Sequence, residues 1–102
     1  MAKKDITKYL ELLKSEDLSL LEFLKAKFPV FHNSNIFYRD FQYGIRSFLE
    51  KKEIEISYSE AGELAAQMAL YFEEKGIFKR VNSMGWKINF PEFAATEPGD
   101  PF

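Results

Sequence analysis

The sequence of 102 residues is long enough for one domain with its own hydrophobic core. Hydrophobic residues make up 46% and aromatic residues 17% of the chain, which excludes an intrinsically disordered protein. The net charge of -2 argues against a generally basic nucleic-acid-binding surface, and the lack of cysteine excludes disulfides, thiolate catalysis and cysteine-ligated zinc.

The first third of the chain predicts helices. Asp5 is suited to cap a first helix, after which apolar residues recur at helical spacing. Residues 14–17 interrupt this apolar face, and Ser19 followed by Glu22 has the capping-box pattern of a helix start. The stretch is therefore two short helices or one helix with a kink. It ends before Pro29, because a proline disfavours helix at the preceding residue.

An aromatic helix is predicted after a loop over residues 30–35. Its apolar residues recur at offsets of three and four and form one stripe: Phe37, Phe41, Ile45, Phe48 and Leu49. Gly44 lies inside this helix at a cost of about 1 kcal/mol relative to alanine, which indicates close packing there. Residues 54–57 alternate isoleucine with polar residues and predict a short half-buried strand.

A long helix is predicted next, from a second capping-box pattern formed by Ser57 and Glu60. It runs to about Lys75, and Gly76 follows at the position where many helices end with a positive φ. Its predicted buried face consists of Ala61, Leu64, Ala65, Met68 and Phe72. The small alanine side chains on this face permit close contact with another helix.

A β-hairpin is predicted to follow the long helix. Residues 77–81 and 86–90 read as its two strands, and the loop between them ends in glycine. Pro91 ends the second strand, since proline has no N–H to donate. The domain is therefore expected to cover residues 1–93, and the turn-rich tail over residues 94–102 is expected to be disordered.

Several residues mark a helix end, a following helix and its exit into a strand: Phe48-Leu49, Glu60-Ala61, Leu64, Met68, Gly76-Ile77 and Val81. Together with Phe41 and Ile45, they are similar in order and spacing to the DEP-domain variant of the winged-helix superfamily, a module of signalling proteins. The order of the elements, and residues 72–81 and 85–88 in particular, resemble the ending of a winged-helix domain, in which a helix closes on Glu-Lys-Gly, exits into an apolar strand and returns through a hairpin. The resemblance covers residues 37–90. Phe48 stands where that family usually has tryptophan, and the hairpin loop is shorter than usual. The resemblance implies an α+β, winged-helix-like fold with three to four helices, a short strand and a C-terminal β-hairpin.

DNA binding is the commonest function of such a fold, with the last helix in the major groove. Acidic side chains dominate the predicted last helix: Glu60, Glu63, Glu73 and Glu74. Only Gln67 is suited to read a base edge there, so we expect no readout by this helix. The hairpin offers candidate contacts to the DNA backbone at Lys79, Arg80 and Lys87. A DNA-binding regulator that acts through this hairpin is therefore the alternative function.

Catalysis and membrane binding have little support. His32 is the only histidine, and no acidic partner, oxyanion hole, metal-ligand pattern or glycine-rich phosphate loop accompanies it. We therefore expect a non-enzyme without a cofactor. No run of about 18 apolar residues predicts a membrane span, and the N-terminal lysines alternate with acidic residues. Without a recognisable signal peptide, the expected location is the cytoplasm.

The remaining hypothesis is a module that docks another protein or a second copy of itself. Aromatic side chains are common anchors of protein interfaces, and the chain has more of them than a small core requires. The candidates for exposed aromatic anchors are Tyr38, Tyr43, Phe78 and Trp86. The sequence therefore favours a non-enzymatic protein-interaction module of winged-helix type.

Overall fold

Two short helices open the described part of the chain, which decides between the two predicted alternatives. The computed structural model describes residues 6–28 and 32–90. Helix α1 covers Thr7–Ser15, and α2 covers Asp17–Lys27. The buried residues of the two helices are leucines, which join the common core: Leu13, Leu20, Leu21 and Leu24.

The predicted capping box at Ser19 is wrong. Helix α2 begins two residues earlier, at Asp17, so Ser19 lies within its first turn. The side chain of the N-cap residue Glu16 makes no capping hydrogen bond. The other predicted boundaries of this region, Asp5 and Pro29, lie outside the described residues.

The aromatic helix α3 covers Tyr38–Lys51 and follows strand β1 at Asn35–Phe37. The predicted stripe is confirmed at its four helical positions, which are all buried: Phe41, Ile45, Phe48 and Leu49. Phe37 was expected in the same stripe, but it lies in β1 and is exposed. A Cβ atom on Gly44 would overlap Leu24 Cδ2, which confirms the predicted close packing, here of α3 against α2.

The strand predicted at residues 54–57 is wrong. This segment is an extended connection, in which Ile54 N donates to Leu49 O after Glu53 takes a positive φ of 62°. Ile56 is nevertheless buried, so one of the two isoleucines that suggested a half-buried strand is a core residue. A strand needs a neighbouring strand as its hydrogen-bonding partner. The third strand that pairs with the hairpin is β1, so this segment has no strand to pair with among the described residues.

Helix α4 covers Tyr58–Glu74, and its predicted capping box is confirmed. Ser57 Oγ accepts from Glu60 N at 3.0 Å, and Glu60 Oε1 accepts from Ser57 N at 2.8 Å. The helix exit is also confirmed, because Gly76 has a φ of 78°. The predicted buried face is buried in the structure, and Ala69 is buried with it. Helix α1 packs against one flank of α4.

The hairpin strands are β2 at Phe78–Asn82 and β3 at Gly85–Ile88. The sheet has the order β1-β3-β2, and both strand pairs are antiparallel. An irregularity of the β2–β3 register between Arg80 and Asn82 leaves Val81 as an extra residue. The central strand β3 thus pairs with a strand that precedes it by about 50 residues in the chain.

The predicted fold class is confirmed. The described residues form an α+β domain with four helices and a small three-stranded antiparallel sheet, compatible with a winged-helix-like fold that ends in a β-hairpin. No helix in these residues is both long and apolar enough to cross a membrane. The tail predicted over residues 94–102 lies outside the described residues.

Candidate functional site

One carboxylate joins the hairpin to α4. Glu73 Oε2 accepts a hydrogen bond from Trp86 Nε1 at 2.7 Å and another from Arg80 Nη2 at 2.8 Å. The Arg80 guanidinium also lies 5.3 Å from the centroid of the Trp86 ring. Because Trp86 is buried, its indole N–H needs such an acceptor. The hairpin is therefore held in place by contacts that serve the fold.

The face of the sheet towards the helices completes the core. The register places Phe78 opposite Ile88, and places both Arg80 and Ile36 opposite Trp86. The rings of Phe41, Phe72, Phe78 and Trp86 pack with centroids 5.0–6.2 Å apart. Phe78 and Trp86 are each only 2% exposed. The expectation that these two rings stay exposed is therefore wrong, because they alternate onto the core side of their strands.

The opposite face of the sheet is exposed. We name it the outer sheet face and define it, with the adjoining hairpin turn, by these residues: Asn35, Phe37, Lys79, Val81, Met84, Gly85 and Lys87. Three of them are large apolar side chains with more than half of their surface accessible. The exposed fraction is 56% for Phe37, 56% for Val81 and 61% for Met84. Such a grouping of apolar surface is typical of interaction sites.

A small notch lies between Phe37 and Val81. The backbone of Gly85 forms part of its floor, and its volume is about 40 Å³. A Cβ atom on Gly85 would lie 2.7 Å from the Ile36 carbonyl oxygen and 3.3 Å from Phe37 Cδ1. Only glycine therefore fits at this position without a shift of the β1 backbone. The notch has room for about one methyl-sized group, such as the tip of an aliphatic side chain.

Two lysines lie side by side next to the notch. Lys79 and Lys87 are direct partners in the β2–β3 register, and both are exposed. Within residues 6–28 and 32–90, neither ammonium group has a carboxylate at ion-pair distance. Like charges directly opposite each other destabilise a sheet. Of the three basic residues predicted for DNA contact, the structure brings these two together, whereas Arg80 pairs with Glu73.

The two predicted tyrosines differ in exposure. Tyr38 is half-buried, and its hydroxyl donates to the Gly62 carbonyl at 2.7 Å, so it ties α3 to α4. Tyr43 is exposed, as expected, on the surface of α3. The Lys27 ammonium lies 5.5 Å from its ring centroid. Tyr43 lies on a helix, away from the strands that form the outer sheet face.

The exposed face of α4 combines a carboxylate, an amide and a large apolar side chain. It includes Glu74, Gln67 and Leu70. A groove of about 280 Å³ separates this face from the hairpin, and its lining includes Tyr38, Ala66, Ala69, Leu70, Arg80, Ser83 and Trp86. Gln67 is the only amide side chain on this surface, in agreement with the prediction that α4 has few side chains suited to read a base edge.

The N-terminal helices flank this face of α4 rather than cover it. Tyr71 lies at its border, and its hydroxyl donates to Asp17 Oδ2 at 2.9 Å. The Lys75 ammonium lies 3.8 Å from the same carboxylate oxygen. Burial raises the pKa of Tyr71 above its ordinary value of 10.0, and the hydrogen bond to Asp17 raises it further. These contacts hold the start of α2 against the end of α4.

The single histidine has a structural role. His32 Nδ1 accepts from Phe90 N at 3.1 Å and so joins the loop before β1 to the segment that follows β3. Among the residues that the structure describes, no group of three or more histidine, aspartate or glutamate side chains is arranged to hold a metal ion.

The sequence patterns did not predict that the apolar residues of the outer sheet face are exposed. Phe37 lies four residues before Phe41 and so matched the helical stripe. Val81 matched the apolar end of a buried strand. The available signal was Met84, a large apolar residue in a hairpin turn where polar residues are the rule.

No family model matches the chain, and neither a curated protein nor a solved structure matches it significantly. The resemblance to winged-helix and DEP domains therefore stays a prediction from the residues quoted above.

Proposed function

We propose that this chain is a non-enzymatic protein-interaction module of winged-helix type that docks another protein on its outer sheet face. The observation that carries the proposal is the exposure of three large apolar side chains, Phe37, Val81 and Met84. Phe37 and Val81 line the notch at Gly85, and Phe37 and Met84 line a neighbouring pocket. Burial of these side chains would remove apolar surface from water, which is the main driving force of association. The proposal includes a cytoplasmic location, with which the lack of cysteine is compatible.

The backbone contacts of the outer sheet face support docking without a rearrangement of this surface. Phe37 belongs to β1 and Gly85 to β3, and the two residues are direct partners in the register. The bond from Tyr38 N to Met84 O, at 2.8 Å, joins the hairpin turn to the start of α3. Glu73 fixes the other side of the hairpin. A preorganised surface loses little conformational entropy on binding, so even a small apolar patch contributes to affinity.

Partner capture by matched variants tests this proposal. The test variant combines Phe37→Thr, Val81→Thr and Met84→Gln, which remove apolar surface while threonine keeps a high strand propensity. The control variant combines Leu18→Gln and Tyr58→Gln, which change two exposed apolar residues elsewhere. Each tagged protein is cross-linked in extract of its own cells, and captured proteins are quantified by mass spectrometry.

We expect at least one protein that the wild type and the control retain equally and that the test variant loses about tenfold or more, since roughly 1.4 kcal/mol of lost binding suffices. Circular dichroism and thermal unfolding confirm that both variants are folded. Equal capture by all three proteins would contradict docking on this face. Light scattering shows whether the retained partner is a second copy of the chain.

DNA binding through the hairpin is the second candidate, because Lys79 and Lys87 are exposed as an adjacent pair. Arg80 contributes less than predicted, since its guanidinium is paired with Glu73. The test is retention of mixed-sequence duplex at low salt, before and after changing Lys79 and Lys87 to Ala. Binding that is lost with these changes, and kept when Lys8 and Lys51 are changed instead, would place DNA binding first.

A further inference from the structure

The chemistry of the outer sheet face selects one kind of partner segment. Across the three strands, Asn35, Lys87 and Lys79 form one row of side chains. The next row towards the hairpin turn contains Phe37 and Gly85, with the notch between Phe37 and Val81. A cationic row and an apolar row therefore lie next to each other on the outer sheet face.

The distance between the two rows matches the spacing of every second side chain in an extended peptide. Gly85 and Lys87 are two residues apart on one strand, which corresponds to about 6.6–6.8 Å. In an extended peptide, side chains at positions i and i+2 lie on the same side with this same spacing. A peptide that inserts an apolar side chain into the notch therefore brings the side chain two positions away over the lysine pair.

The charge of the cationic row determines what that second side chain is. Lys79 and Lys87 repel each other across the β2–β3 ladder, and no carboxylate among the described residues neutralises them. A carboxylate placed between the two ammonium groups relieves this repulsion and accepts charge-assisted hydrogen bonds from both.

We propose that the outer sheet face binds an extended acidic peptide segment of a protein partner. Its apolar side chain occupies the notch over Gly85, and a carboxylate two residues away bridges Lys79 and Lys87. This inference rests on the proposed docking function and names the chemistry of the partner.

The same face is poorly suited to a lipid surface or to DNA. Juxtamembrane segments that bind anionic lipid have about four to eight basic residues, whereas this row has two. Two phosphate contacts also give only weak, salt-sensitive DNA binding. Addition of a peptide strand to the free edge of β2 is disfavoured by Lys79 and by the irregularity at Val81. The proposed peptide therefore lies on top of the outer sheet face, along β3, and not beside the edge of β2.

Peptide titration tests the inference directly. The probes are end-blocked seven-residue peptides with Leu-Ser-Glu at the centre, the reverse order Glu-Ser-Leu, and the two corresponding peptides with Gln in place of Glu. Both orders are used because the spacing does not fix the peptide direction. Binding to the 102-residue chain is followed through the backbone amide signals of Val81, Gly85 and Lys87 in nitrogen-15 NMR spectra.

We expect one of the Glu peptides to bind about fivefold more tightly than its Gln analogue, as two exposed ion pairs should allow. Changing Lys79 and Lys87 to Gln should abolish this preference and leave the Gln peptide unaffected. The control variant, with Lys8 and Lys51 changed to Gln, should keep it. Equal binding of the Glu and Gln peptides would overturn the inference. So would lysine-dependent binding only to vesicles with 20% phosphatidylserine or to a mixed-sequence duplex.

Partner capture separates failure of this inference from failure of the proposed function. The Lys79→Gln, Lys87→Gln variant is added to the capture experiment beside the apolar test variant. Loss of the partner with both variants supports the inference. If only the apolar variant loses the partner, docking on the outer sheet face stands and the acidic-peptide inference is wrong. If neither variant loses it, the proposed function itself fails.

Discussion

The two faces of the three-stranded sheet are formed by the same strands but have opposite surroundings. The inner face contributes Ile36, Phe78, Trp86 and Ile88 to the core, and each is almost fully buried. The outer face presents exposed apolar side chains and two adjacent lysines. Core packing explains the composition of the inner face. It does not require apolar residues or paired like charges on the outer face, which is why we propose that the outer face binds a partner.

The largest expected effect comes from the inner face. Trp86→Ala removes a buried ring from the aromatic cluster and should lower the free energy of unfolding by about 3–5 kcal/mol. Phe37→Thr on the outer face removes an aromatic ring as well, but should cost about 1 kcal/mol or less, since that ring is mostly exposed. Urea unfolding measures both. Similar losses for the two variants would remove the distinction between the faces.

The hydrogen bonds of Glu73 should give the next largest effect. Glu73→Ala leaves the buried Trp86 N–H without its acceptor and should cost about 1–3 kcal/mol. Glu74→Ala is the matched control, since Glu74 is the exposed neighbour on α4 and its change should stay within about 0.5 kcal/mol. Thermal and urea unfolding measure both variants. Equal stability of the two would show that the hairpin does not depend on the Glu73 carboxylate.

The hydrogen bond between Tyr71 and Asp17 lies away from the sheet, and its loss should have a smaller effect on stability. Tyr71→Phe removes the hydrogen bond to Asp17 and should cost about 1 kcal/mol at pH 8. Because the folded protein raises the pKa of Tyr71, the unfolded chain loses this proton first as the pH rises past 10.0. The stability that Tyr71 contributes is therefore complete below pH 10 and declines above it.

Urea unfolding of the wild type and the Tyr71→Phe variant at pH 8 and above pH 10 measures this difference. A difference that grows with pH would contradict the assigned direction.

The smallest expected effect is a gain in stability on the outer face. Lys79→Glu places opposite charges directly across the β2–β3 ladder and should raise the free energy of unfolding by about 0.2–1 kcal/mol. The gain should shrink at 1 M salt, where exposed charges are screened. Urea unfolding at low and high salt measures it. A loss of stability would show that Lys79 already has a favourable partner.

Local patterns in the sequence predicted much of the fold. The capping box at Ser57 and the glycine exit at Gly76 depend on neighbouring residues only, and both are confirmed. Strand β1 was missed because its pairing with β3 is distant in sequence, and Phe37 has helical spacing to the residues after it. Phe78 and Trp86 were expected to be exposed because the aromatic count exceeds what a small core requires, but which rings fill that core depends on how the sheet packs on the helices.

Site-specific photo-cross-linking tests the central claim most directly. A photoreactive phenylalanine analogue replaces Val81 on the outer sheet face in one protein and Leu18 on α2 in a control, both exposed positions. After irradiation in extract of its own cells, the protein with the analogue at position 81 should form a discrete cross-linked band with a partner, and the control should not. A partner that cross-links only from position 18, or no cross-link from position 81, would contradict binding through the outer sheet face.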